Sequence, residues 1–343
     1  MMSNEIFTKL SLLPRLSDVF VWCDYIELRC LVHPDKSFSR SDLMETQEEM
    51  TDTRDDADDI SDEEYAEDLG LDFDEFQHDE MYQSTPAVND RLQQKTYERF
   101  LHLKSRLRHF GEDLYPFFFD EELQSIYLKD ELTDWHYFYI QLLISSALRY
   151  CPRSRRHELT GPFEEVSYEI FKCLMPQGWV IHPFGKDKSS RYRGHLYDKL
   201  SLLANDVRGE LAAKRTHFSE RDQGDGGLDL VAWHPMSDER NLIPMAFAQC
   251  GCTAEEFGMK MLEASPSKLG LHLKVGYEWA CYYFMPQSML TNDGKDWFKY
   301  SDFSRSIVVD RFRIMRIAKQ YQVKIHEVIK RETIQEALEF SFY

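Results

Sequence analysis

The chain has 343 residues, 43% of them hydrophobic and 14% aromatic, with a formal net charge of −19. That apolar content supplies one large or two ordinary cores and excludes a wholly disordered protein. The acidic sum excludes a globally basic nucleic-acid binder but leaves room for a local basic patch. The charge is concentrated: residues 45–80 hold 18 acids against one base, Arg54, so the remainder is close to neutral. Seven scattered cysteines show neither a disulfide framework nor zinc-knuckle spacing, which points to reduced thiols and a cytoplasmic setting. Met1 to Ser11 lacks the pattern of a signal peptide. The most apolar helix candidate, Trp135 to Tyr150, contains His136, Gln141 and Arg149 and reads as a buried helix rather than a membrane span.

Along the chain, Phe20 to Asp35 is rich in aromatic and β-branched residues and predicts a strand or hairpin edge. The acidic tract follows as a loop with one short helix at its end. It is most simply a solvated segment; the sharper idea is a mimic of DNA phosphate that occupies a basic cleft. From Asn89 to Cys151 the spacing is helical, with Leu92, Tyr97, Phe100, Leu103 and Leu107 along one side and further helix candidates over Asp120 to Tyr127 and Asp134 to Tyr150. Residues 1–150 therefore read as a mostly helical accessory or regulatory domain with an acidic insertion at 45–82. The basic, Pro- and Gly-bearing stretch 151–162 reads as a connector. Residues 151–343 alternate helix and strand: an amphipathic helix with Phe163-Glu164-Glu165 in its first turn, strands in GWVIHPFG, GLDLVAW, IPMAFAQCG and WACYYFMP, and helices in HLYDKLSLLANDVRGEL and CTAEEFGMKMLEA. This is an α/β (α+β) pattern.

The chemistry-bearing stretch is 224–251. A glycine-rich turn delivers Asp229 to the start of an apolar strand, and the next strand ends in the polar Gln249. Antiparallel neighbours set such residues side by side at one end of a sheet, where a carboxylate and an amide oxygen can hold a hard cation. A glutamate on the preceding helix can reach the same ion. Lys186, Lys188, Arg191 and Arg193, with Tyr192 among them, form either a phosphate-contacting loop or an ordinary solvated one. Cys250 and Cys252 lack further ligands at zinc spacing.

Phe163-Glu164, then Gly224-Asp225-Gly226-Gly227-Leu228-Asp229, then a strand closing in Gln249 resembles the Mrr-like branch of the PD-(D/E)XK nucleases, with its FE, GxGDGGID and Q-x-K motifs. The match covers roughly residues 158–262. The resemblance implies a restriction-endonuclease-like mixed sheet flanked by helices over 151–343, behind the mostly helical N-terminal domain. It implies Mg²⁺ (or Mn²⁺) held by Glu164 and Asp229, and catalytic roles for Glu164, Asp229, Gln249 and a lysine. Position 251, where that lysine belongs, is Gly251; Lys260 is the nearest replacement. Implied in turn are a DNA endonuclease, an effector role in bacterial antiviral defence, a sensor or ATPase partner and a homo-oligomer; the absence of a membrane partner is expected from hydropathy alone. Two alternatives stay open: a catalytically degenerate nuclease fold that binds DNA or protein, and a nuclease for RNA or single strands.

Overall fold

Residues 20–35, expected as a strand, instead form helix α1 (Val19–Val32). Every residue of this helix except Val19 and Val21 is buried. A helix covered all round has no polar face to mark its period, so its aromatic and β-branched content imitates a strand. The computed structural model describes residues 5–52, 85–184, 191–219, 226–254, 257–303 and 306–342. The acidic tract beyond residue 52 lies outside them.

The chain divides into two compact units, and the division is not a single cut. Unit 1 comprises Met1–Pro162, Gln287–Phe298 and Ile325–Tyr343; unit 2 comprises Phe163–Pro286 and Lys299–Lys324. The linear boundary expected at 150/151 therefore differs in two ways. Two C-terminal segments return to unit 1, and the division falls inside a helix rather than in a connector.

Unit 1 holds α1, β1 (Ser37–Ser39), α2 (Arg40–Asp52), α3 (Thr85–Phe110), β2 (Phe117–Asp120), β3 (Ser125–Leu128) and α4 (Asp134–Ser146). The three strands form an antiparallel sheet in the order β1-β3-β2. Asp120 to Tyr127, expected as a helix, is thus the β2–β3 hairpin. The Asp120 carboxylate accepts from the amides of Glu122 and Leu123, and Gln124 adopts φ 47°, a tight turn that a helix cannot contain. Buried Glu27 of α1 accepts from Arg106 at 2.9 Å, Tyr115 at 2.8 Å and Tyr139 at 2.9 Å, so this carboxylate is fully engaged.

In unit 2 five strands run β10-β9-β7-β6-β4, with β4 (Val180–Pro183), β6 (Leu230–Trp233), β7 (Met245–Cys250), β9 (Ala280–Phe284) and β10 (Ile307–Val309). The pairs β4–β6 and β6–β7 are antiparallel; β7–β9 and β9–β10 are parallel. The fold is mixed α+β, as expected. A two-stranded β5–β8 pair (Glu210–Leu211 with Leu273–Lys274) lies apart. Helix α5 (Arg156–Leu174) begins before the position expected from sequence and runs through Pro162. Glu164 is therefore two turns inside the helix, not in its first turn.

One sheet face carries Val231, Trp233, Met245, Phe247 and Cys281, which pack with Leu196, Leu200 and Leu203 of α6 (Leu196–Asp206). The other face is met by α5: Phe171 makes edge contacts with Tyr282 and Phe284, at centroid distances of 5.5 and 6.1 Å. Covering both faces explains why these strands read as continuous apolar runs rather than alternating ones.

Candidate active site at the ends of strands β6 and β7

The turn before β6 is made by Gly226 and Gly227, at φ 64° and 80°, where a side chain is disfavoured. It feeds Asp229 into the sheet. The Asp229 amide donates to the Ala248 carbonyl at 3.0 Å, and its own carbonyl accepts from the Phe184 amide at 2.6 Å, so the pairing extends past the strand end on both sides. The β6–β7 register runs from Trp233↔Met245 to Leu230↔Ala248, the Asp229 amide bonding Ala248 just beyond it, and β7–β9 pairs Gln249 with Tyr283. Alternation puts Gln249 and Tyr283 on the face of Phe247 and Cys281. The apolar layers of that face thus end in a polar row on two neighbouring strands, Gln249–Tyr283, with Asp229 at the adjoining end of β6.

The row is largely closed to solvent: Asp229 is 9% exposed, Gln249 7% and Tyr283 0%. One Asp229 carboxylate oxygen accepts from the Cys250 amide at 2.7 Å. The Gln249 Oε1, the Tyr283 hydroxyl and the Thr253 hydroxyl are buried with no hydrogen-bond partner. An orphaned buried oxygen costs about 1–3 kcal/mol, and three around one strand end mark a place suited to water or a cation.

Glu164 comes to this strand end from α5, whose Phe171 packs on Tyr282 and Phe284, and the Ser167 hydroxyl one turn on hydrogen-bonds the Cys250 thiol. Burial pushes the Cys250 thiol far up, and the charges of Asp229 and Glu164 push it further. Cys252 behaves alike: burial first, then Glu164, with Lys260 opposing and Asp229 adding. Glu164, Asp229 and Lys260 therefore share one neighbourhood, the Cys250–Cys252 segment, and both thiols stay protonated and inert. Lys260 closes a one-turn helix, α7 (Phe257–Lys260), not the longer helix expected from CTAEEFGMKMLEA. Gly258 weakens that run, and Pro266 opens a separate turn, α8 (Pro266–Leu269).

Sequence reasoning missed Tyr283 and Glu263. A β-carbon on Gly227 would stand 2.7 Å from the Glu263 carboxylate, so that acid packs against the turn delivering Asp229. Its charge also raises the pKa of Tyr283. The paired glycines were the available signal: two in succession allow a close approach by something, but they do not name it.

Of the basic run, Arg191 is committed to Asp206, bonding it through Nε at 2.7 Å and through Nη2, while the Tyr192 hydroxyl donates to the same carboxylate at 2.6 Å. Arg193 is exposed. Lys186, Lys188 and Asp225 lie outside the described residues. Among the described residues, no group of three or more His, Cys, Asp or Glu side chains is placed to hold a metal ion. The oxygens of Asp229 and Gln249, with Glu164 and Glu263 nearby, still fit a hard cation, because carboxylate and amide oxygens are its preferred donors. No helix among the described residues is long and apolar enough to cross a membrane. No family model, curated protein or solved structure matches the chain.

Proposed function

We propose that unit 2 is a Mg²⁺- or Mn²⁺-dependent endonuclease domain of the restriction-endonuclease-like kind, hydrolysing DNA phosphodiester bonds. The observation that carries this reading is the buried, partnerless Gln249 Oε1 at the end of β7, the strand paired with β6, which Asp229 enters from a glycine-built turn. Asp229 and Gln249 would hold the cation, with Glu164 completing the site from α5. The ion, when bound, neutralises phosphate charge and lowers the pKa of water. In the reaction one water adds across a P–O bond, its oxygen to phosphorus and its proton, through solvent, to the leaving oxygen. The bond from the Cys250 amide to one Asp229 oxygen fixes the orientation of that carboxylate at the strand end. Lys260 brings a positive charge to the same segment, where negative charge develops on the phosphate. A role as a defence effector with a sensor or ATPase partner belongs to the same proposal and follows from the motif resemblance.

The test is supercoiled plasmid with Mg²⁺ or Mn²⁺, wild type against Asp229→Ala. Nicking should fall at least about 100-fold, with the circular dichroism spectrum unchanged. Equal nicking by the two proteins removes the assignment. A second reading, a nuclease-like platform that binds without cutting, is favoured by Gly251 at the lysine position. Retention of DNA in a gel shift, with no hydrolysis under either metal, would select it. Parallel panels of RNA and single-stranded DNA settle which polymer is cut.

A further inference from the structure

Position 251 is empty of a side chain for a visible reason. A β-carbon built on Gly251 would lie 1.9 Å from the Tyr283 hydroxyl and 2.7 Å from its ring carbon Cζ. The tyrosine oxygen occupies the space that a lysine in this position would enter. It reaches there from β9, directly beside Gln249 in the parallel register, and its ring is held by an edge contact with Phe257 at 5.6 Å. Although buried, this hydroxyl has no partner, like the Gln249 Oε1 in the same row.

We propose that the Tyr283 hydroxyl takes over the hydrogen-bonding half of the missing lysine's role and holds the attacking water against Gln249 and Asp229. This rests on the endonuclease reading and names a residue that the motifs do not. A lysine does two things in such a site, offering a hydrogen bond and a positive charge. Here the two are divided. Tyr283 supplies the bond at the strand row, and Lys260 supplies the charge near Cys252. The ligand of the hydroxyl is a water rather than a phosphate oxygen, because the tyrosine is wholly closed to bulk solvent.

The experiment compares plasmid nicking in Mn²⁺ by wild type, Asp229→Ala, Tyr283→Phe, Tyr283→Ala and the double variant Gly251→Lys/Tyr283→Ala, each checked for folding by thermal unfolding. Tyr283→Phe should nick about 10- to 100-fold more slowly while melting close to wild type. The double variant should nick at least about tenfold faster than Tyr283→Ala, because removing the ring opens the space for the lysine; a purely structural tyrosine would give no such rescue. Wild-type nicking by Tyr283→Phe, with Asp229→Ala inactive, overturns this inference and leaves the endonuclease reading standing. A double variant no faster than Tyr283→Ala also overturns it. Absence of nicking by the wild type sinks the endonuclease reading and Tyr283's part with it.

Discussion

At Gly251 one hydrogen in place of a methyl group decides whether two strands can hold their side chains in register. A β-carbon there collides with the Tyr283 hydroxyl, which sits on β9 and cannot retreat without moving its ring off Phe257. Gly251→Ala should therefore destabilise unit 2 by about 1–3 kcal/mol, the usual cost of overpacking. In a Tyr283→Ala background the same substitution should cost much less, a coupling that a double-mutant cycle in urea reads directly. Equal costs in both backgrounds would mean that the tyrosine is not what excludes a side chain at 251. The Q-x-K resemblance exposed the gap at this residue, but sequence could not name the tyrosine filling it. Tyr283 is 32 positions further along, and only the β7–β9 register brings it alongside.

Helix α3 lines its inward side with polar groups as well as apolar ones: Thr96, Arg99, His102 and Arg106 are all buried. Arg99 stacks on the Trp22 ring, with its guanidinium carbon 3.3 Å from the ring centroid. His102 bonds Asn292 Oδ1 through Nδ1, while its Nε2 is buried without a partner. Burial first, then Arg106, lowers the His102 pKa from 6.5 to about 4, with His109 adding and Asn292 and Asp24 opposing. The folded protein thus keeps this ring neutral where the unfolded chain takes up a proton. Stability is full above about pH 6.5, declines as pH falls through the window down to about 4, and the loss is complete below it, on the order of 3 kcal/mol. His102→Gln should flatten that part of the profile in urea unfolding of the full chain. A variant as acid-sensitive between pH 4 and 6.5 as the wild type would show that other groups carry the effect.

For the whole molecule, the chain's last segment belongs with its first. Helix α9 (Arg331–Glu339) buries Ile334 and Ala337 within unit 1, and its Leu338 carbonyl accepts from Lys36 Nζ at 2.6 Å. The Phe342 amide donates to the Val32 carbonyl at 3.0 Å, and Arg155 pairs with Glu336. A chain ending at Lys324 should therefore lose unit 1 stability by about 3 kcal/mol or more, counting only Ile334 among the buried side chains removed, together with the severed bonds. Limited proteolysis would then cut within residues 1–162 at protease levels that leave the full chain whole. Unchanged protection would show that the C-terminal return is dispensable.

The sequence alone determined the mixed α+β texture of the second half and most of its strands, because short apolar runs between glycine and proline turns admit few alternatives. It also singled out the GDGGLD turn and the Gln249 strand end. The tertiary structure decided what periodicity cannot carry. A helix buried on every side looks like a strand, a hairpin fixed by an Asp turn looks like one face of a helix, and a C-terminal helix can belong to an N-terminal core. It also decided that Gln249 and Tyr283 stand side by side and that Asp229 and Glu164 meet at the Cys250 segment. Side-chain proximity across a sheet is set by strand order and register, and these are properties of pairing between distant segments that no local pattern contains.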